Sequence, residues 1–402
     1  MVQTDYIHVP YGKAVYGEAE IEAVNQVLRT STQMGKHVRA MEERVAKLYD
    51  KEYGIMVNSG SSALYLAAEL MNLQAGDEVI TPALTFSTTV APMVRKNWVP
   101  AFVDVEEGTY NLDASKVEEM ITPRTKAMII PNLIGNLPDW AKLREIADRH
   151  NLFVLEDSAD TLGAEIGGRS SGRFCDMSTT SFYGSHIINC AGNGGMLCVN
   201  GEDYYNRGRL LRSWGRSSSL FVESEAIENR FNVEVDGIPY DAKFVFEEPG
   251  FNIEPAELGA AFGLVQLDNL GWNIDTRTSN FNRMREFFSQ YEEFFILPKQ
   301  LPDSRTGWLA FAVTIRESAP FIRRDLQIFL EKRNIQTRTV FTGNILRQPG
   351  FKNIAHKASA AGYPESDKVM RGGMLLACHH GLSEAQLSHV MESVTEFMRG
   401  VK

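Results

Sequence analysis

"LFVLEDSADTLGA", residues Leu152–Ala164, decides how this chain is read. An apolar run too short for a helix stops at an acidic pair and a small-residue turn. That is the pattern of a buried strand whose carboxyl end opens onto a crevice. Asp157 stands at the strand terminus, where a carboxylate can face a cationic ring nitrogen, and Asp160, three residues on, can look into the same crevice. The bland alternative makes this pair the cap of the next helix.

Outward from that stretch, between about residues 16 and 270, apolar strands alternate with amphipathic helices, which implies an α/β domain with a mostly parallel sheet. The spacing predicts strands over Tyr53–Asn58, Glu78–Ala83, Val99–Val105, Lys126–Asn132 and Leu152–Asp157. It predicts helices over Glu18–Leu28, Val38–Tyr49, Ser62–Met71, Ala114–Ile121 and Leu137–Arg149. In such a sheet the chemistry gathers at the carboxyl edge of the strands. Residues 204–250 are charged and aromatic with weak periodicity, the signature of a long excursion used as a lid or subunit contact. A helix-rich stretch over Pro255–Tyr291 leads into a second α/β pattern with strands near Leu309–Ile315 and Ile335–Val340. The expected division is a large domain over 1–272 and a smaller one over 273–402, the N-terminal segment packing on the latter.

Composition narrows the function classes. A chain of 402 residues, 44% hydrophobic and with a net charge of −10, buries a substantial core and carries no basic footprint for nucleic acid. No apolar run approaches the roughly 20 residues of a membrane helix, and Met1–Lys13 has no secretory h-region, so a cytoplasmic protein is expected. Cys175, Cys190, Cys198 and Cys378 form no CxxC pair and read as buried thiols rather than metal ligands or disulfides.

Three further stretches carry chemistry. In "VNSGSSALYLA", Val57–Ala67, a strand runs through Gly60 and Ser61 into a helix, offering backbone N–H groups and hydroxyls to an anion; a plain serine N-cap fits equally. In "TPALTFSTTV", Thr81–Val90, Phe86 follows a strand and can stack on a planar ligand or join the core. "SFYGSHIINCAGNGG", Ser181–Gly195, reads as a short apolar strand entering a glycine-rich loop, with His186 as the reactive side chain.

An anion cradle, a stacking aromatic, a terminal Asp and a serine-flanked reactive position together make the layout of a pyridoxal phosphate site. The chain resembles the DegT/StrS family of nucleotide-sugar aminotransferases over nearly its whole length. The resemblance runs from "GEAEIEAVNQVL" through "GDEVITPALTFSTTV", "FVDVEEGTYNLD", "EDSADTLGA" and "FNIEPAELGAAFGLVQLDNL" to "LRQPGF". It implies an aspartate-aminotransferase-like α/β fold (fold type I of the pyridoxal-phosphate-dependent transferases), with a large mostly parallel domain and a smaller C-terminal α/β domain. In that family the position of His186 is usually the lysine that binds the cofactor as a Schiff base. No lysine occurs here between Lys142 and Lys243.

An imidazole at this position marks the branch of 3-dehydratases acting on nucleotide-linked 4-keto-6-deoxyhexoses, enzymes of deoxysugar and lipopolysaccharide biosynthesis. Asp160 in place of the more usual Gln, "IGNLPDW" (Ile134–Trp140) and "TGNILRQPGF" (Thr342–Phe351) favour the same branch. The resemblance implies pyridoxamine phosphate held as a free amine, His186 as the base, and Gly60, Ser61 and Ser181 around the cofactor phosphate. It further implies Phe86 stacked on the ring, Asp157 on its nitrogen, Asp160 toward the 3-hydroxyl side, and glutamate as amino donor. Asn252 is expected to reach the cofactor phosphate of the neighbouring subunit in a homodimer, and Arg347 to contact a carboxylate or diphosphate of the substrate.

Two features depart from the family pattern. Asn193 stands in the glycine loop "AGNGG" where Asp or Glu is common. The stretch "SWGRSSSLFVESEAIENRF" lacks the clustered cysteines of the members that carry an iron–sulfur cluster, so none is expected. A nucleotide-sugar aminotransferase that tolerates histidine, and a cofactor-binding regulatory protein, are the competing readings.

Overall fold

In the computed structural model, which describes residues 6–221 and 225–401, seven strands form one sheet. Part of the cysteine-free stretch, 222–224, and the first five residues lie outside the described residues. The strands are β1 (Tyr53–Val57), β2 (Glu78–Pro82), β3 (Val99–Val103), β4 (Thr125–Pro131), β5 (Phe153–Ser158), β6 (Met177–Ser181) and β7 (Gly195–Val199). Their order is β1-β7-β6-β5-β4-β2-β3, and β7 alone runs against its neighbours.

Both faces are covered, which is why the strands read as continuous apolar runs. Val79, Ala127 and Ile129 pack under the helix Gly60–Leu70, while Ile80, Met128 and Ile130 pack under Trp140–His150. Local chemistry sets the helix ends. The Ser59 hydroxyl accepts from the Ser62 N–H at 3.1 Å, Asp139 accepts from the Lys142 N–H at 3.0 Å, and left-handed Asn151 closes the second helix.

A four-stranded antiparallel sheet forms from Phe295–Ile296, Ala310–Ile315, Gly373–Ala377 and Arg338–Thr339, in that spatial order. Val9 joins the core of this sheet and pairs with Ile335. The helix Leu270–Ser289 belongs to both cores: Leu270 and Ile274 pack on the large sheet's side, Phe281, Met284 and Phe288 on the small sheet's. A boundary drawn at 272/273 therefore falls in the first turn of one continuous helix.

Three expectations need correction. The helix expected over Ala114–Ile121 is two short 3-10 turns, Ala114–Lys116 and Glu118–Met120. Its buried Ala114, Val117 and Met120 recur every third residue, a spacing that a 3-10 turn satisfies as well as an α-helix. The strand expected to open "SFYGSH" ends at Ser181, and Phe182, Ile187 and Ile188 are buried from the loop. The actual strand, "MSTTS", hides behind its polarity, because its hydroxyls are spent on β5: Ser178 on the Glu156 carboxylate at 2.6 Å, Thr179 on the Glu156 carbonyl, Thr180 on that of Ser158. Finally, the excursion after residue 204 begins later than expected, since Glu202–Arg212 is a helix with Leu211 and Arg212 buried.

Candidate active site

At the carboxyl edge of the large sheet lies a cavity of about 510 Å³. Gly60, Ser61, Phe86, Asp157, Asp160, Ser181 and His186, drawn from four separate stretches of chain, all line it, and so does Asn193. Each arrives by a local rule. Gly60 starts a helix packed so tightly against β6 that a Cβ there would stand 2.6 Å from the Ser181 Cβ, which leaves backbone N–H groups open to an anion. Phe86 begins the helix Ser87–Arg95, half exposed at the cavity, with its edge toward Phe341.

Asp157 and its neighbour Glu156 leave β5 on opposite faces. The Asp157 carboxylate accepts from the Thr89 hydroxyl at 2.7 Å and the Ala159 N–H at 3.2 Å, and has no cationic partner among the described residues. Burial raises its pKa; those two donors oppose the rise and Glu156 adds to it. Glu156 is wholly buried behind the site, its carboxylate accepting from Asn132, Ser158, Ser171 and Ser178, with Trp140 in turn donating to Asn132. That network fixes the end of β5 from below.

Asp160 accepts from the Ile134 N–H at 2.8 Å, and Ile134 is a β-branched residue held at φ +63°. Such a conformation persists only where surrounding structure imposes it. Burial lifts the Asp160 pKa to about 7, with the Ile134 N–H opposing and Asp157 reinforcing. Since the folded pKa exceeds the unfolded value of 3.8, this carboxyl costs nothing below about pH 4 and destabilises increasingly as pH rises toward 7. Asp160→Asn in the cofactor-free protein is therefore expected to gain on the order of 2–4 kcal/mol at pH 8 and almost nothing at pH 4. Thermal unfolding at the two pH values checks this, and an equal gain at both would contradict it.

His186 is half-buried at the cavity wall, its ring edge-on to Tyr183, and its Nδ1, itself buried, has no hydrogen-bond partner among the described residues. Burial drives its pKa down to about 4; the Ser181 carbonyl works against this and the nearby Arg277 cation with it. The imidazole is thus neutral at physiological pH and free to accept a proton. Among the described residues no lysine lines the cavity.

Two expected residues lie elsewhere. Arg347 is exposed and engages Asp367 through its Nε at 2.6 Å, outside the cavity. Asn252 is exposed, bridging to Ser213, and does not line the cavity of its own chain. Conversely, Tyr11, Leu309 and Phe341 line it from segments that the sequence gave no reason to place at the site, whereas Thr89 and Tyr183 sat unremarked inside stretches already singled out.

A model of the DegT/DnrJ/EryC1/StrS aminotransferase family matches residues 15–395. The chain belongs to that family. Among DegT/DnrJ/EryC1/StrS relatives, dTDP-4-dehydro-2,6-dideoxy-D-glucose 3-dehydratase of Saccharopolyspora spinosa is 34% identical, the match covering 97% of this chain and 86% of that protein. GDP-4-keto-6-deoxy-D-mannose 3-dehydratase of Yersinia pseudotuberculosis is 29% identical, with 93% and 94% covered. The structure of E. coli GDP-4-keto-6-deoxy-D-mannose-3-dehydratase with bound hydrated PLP matches at a TM-score of 0.87 and 26% identity, covering 96% of this chain and 99% of that one. The fold of this family member is thus the α/β aminotransferase-like fold of the pyridoxal-phosphate-dependent enzymes. Among the described residues no helix is long and apolar enough to cross a membrane.

Proposed function

We propose that this protein is a 3-dehydratase that uses pyridoxamine phosphate to remove the C3 hydroxyl of a nucleotide-linked 4-keto-6-deoxyhexose, with His186 as the base. The observation that carries the reading is the imidazole with an unpartnered Nδ1, in a cavity that no lysine among the described residues enters. An aminotransferase cycle returns to a lysine Schiff base, which histidine cannot form. The residues present also fit the cofactor. Asp157, desolvated and without a cation, suits a protonated ring nitrogen; Gly60, Ser61 and Ser181 suit a phosphate; Phe86 suits a planar ring. These retained features count against a regulatory protein freed from cofactor binding.

Pyridoxamine phosphate, when bound, supplies an amine that condenses with a ketone and a ring that accepts electrons. The protein's own work is proton management. His186, neutral at pH 7, takes a proton on its unpartnered ring nitrogen. Asp160 still holds its proton through much of the neutral range and faces the same space, so it can donate to the departing hydroxyl. Asp157 holds the ring-nitrogen proton in place.

In this reading glutamate would be the amino donor, its carbon skeleton leaving as the 2-keto acid, and its nitrogen would offset the ammonia released with the deoxygenated sugar. In this reading no iron–sulfur cluster is required, since the stretch "SWGRSSSLFVESEAIENRF" carries none of the clustered cysteines of the members that hold one. The working unit is a homodimer in the cytoplasm, each Asn252 reaching the cofactor phosphate of the other subunit. Phe221, Ile227, Phe231, Ile238, Phe244 and Phe246, all exposed on the excursion, are apolar surface that such a dimer would cover.

The test is to incubate the protein with pyridoxal phosphate, glutamate and candidate nucleotide-linked 4-keto-6-deoxyhexoses and to follow the products by mass spectrometry. Loss of one oxygen together with ammonia release is expected. Gain of nitrogen with the oxygen retained would make the protein an aminotransferase, and absence of any bound cofactor would favour the regulatory reading.

A further inference from the structure

We propose that Arg277 is a positioning residue for His186: its guanidinium, buried with no carboxylate partner among the described residues, fixes the loop that carries the imidazole and sets a positive charge beside it. This deepens the reading of His186 as the base and rests on it.

Arg277 has no exposed surface, and every hydrogen bond it makes goes to a neutral oxygen. Its Nη2 donates to the His186 carbonyl at 3.1 Å. Its Nη1 donates to the Trp308 carbonyl at 3.1 Å and more distantly to that of Leu309, and its Nε donates to Asn273 Oδ1 at 2.7 Å. Asn273, one turn earlier on the same helix, donates through Nδ2 to the Ile187 carbonyl. Two side chains at i and i+4 thus grip consecutive carbonyls of the catalytic loop from a helix about 90 residues away in sequence. The far side of the grip reaches the opposite wall. Leu309, which lines the cavity, donates its N–H to the Ile134 carbonyl at 3.0 Å, and the Ile134 N–H is the one that holds Asp160.

A buried cation without an anion is costly and is normally neutralised by a partner. Here the planar fork meets only carbonyl and amide oxygens, so its field acts on nearby titratable groups instead. On His186 it favours the neutral ring, the same direction as burial. The other groups around that imidazole are Tyr183 on its own loop, Asp157 at the end of β5, Asp160 in the turn that follows it, and Tyr11 from the N-terminal segment. Tyr11, Cys378, His379 and His380 share the field of Arg277.

The test separates charge from geometry. In full-length protein with labelled histidine, NMR titration follows the His186 ring, its signal identified by its loss in His186→Asn. Arg277→Gln, which removes the charge, is expected to raise the His186 pKa by about one unit. Arg277→Lys keeps the charge and loses the fork. It is expected to leave that pKa within a few tenths while lowering kcat about tenfold or more with KM little changed. An unmoved titration in folded Arg277→Gln overturns the inference, as does full kcat in Arg277→Lys. If Arg277→Gln does not fold, the lysine variant decides. If the parent protein dehydrates no sugar, the proposed function fails, while the titration still judges the influence of Arg277 on the ring.

Discussion

His186→Lys is expected to lower sugar dehydration by about a hundredfold to ten-thousandfold and to leave the cofactor bound covalently to the protein. The size follows from losing a general base, commonly worth 10²–10⁴ in rate. The direction of the second effect follows from burial. A lysine placed in this desolvated cavity has its pKa depressed and presents a neutral, nucleophilic amine to an aldehyde. Borohydride reduction followed by peptide mapping should find the cofactor's mass on the peptide containing position 186, and on no peptide of the parent. The variant must then lose deoxygenation. Unchanged turnover would remove His186 from the mechanism, and a parent protein that already carries the cofactor on one of its own lysines would do the same.

Asp157→Asn should weaken pyridoxamine phosphate binding by on the order of 3 kcal/mol, a hundredfold or more in Kd, because it removes the charge facing a buried cationic nitrogen. Asparagine preserves the shape and can still accept the Thr89 hydroxyl, so packing is spared. In the cofactor-free protein the sign reverses. Burial already disfavours the Asp157 anion, and the neutral amide should leave Tm at pH 8 unchanged or higher. Fluorescence titration with pyridoxamine phosphate and thermal unfolding without it measure the two halves. Equal affinity in parent and variant would show that the carboxylate does not meet the ring nitrogen.

Much of the site could be read before the fold was known, for a physical reason. Asp157, Phe86 and Gly60 stand at strand ends and helix starts, and those junctions are marked locally by a change of hydrophobic period and by small or polar residues. Tyr11, Leu309 and Phe341 were not read, because each enters the cavity from a segment whose own pattern is that of ordinary loop or core. Arg347 was placed in the site by resemblance alone, and its guanidinium turns instead to Asp367. β6 went unseen because Ser and Thr look solvated in one dimension, yet all five of its residues are buried and its hydroxyls serve β5.

By itself the sequence determined the alternation of strand and helix, the carboxyl-edge location of the chemistry and the absence of lysine where a Schiff base would form. These depend on side chains near one another in the chain. Only the tertiary structure decided the protonation states and the alignment: His186 neutral, Asp160 with a pKa near 7, and the imidazole loop gripped by Arg277. Desolvation and electric field come from whatever surrounds a group in space, and here those surroundings are assembled from residues hundreds of positions apart.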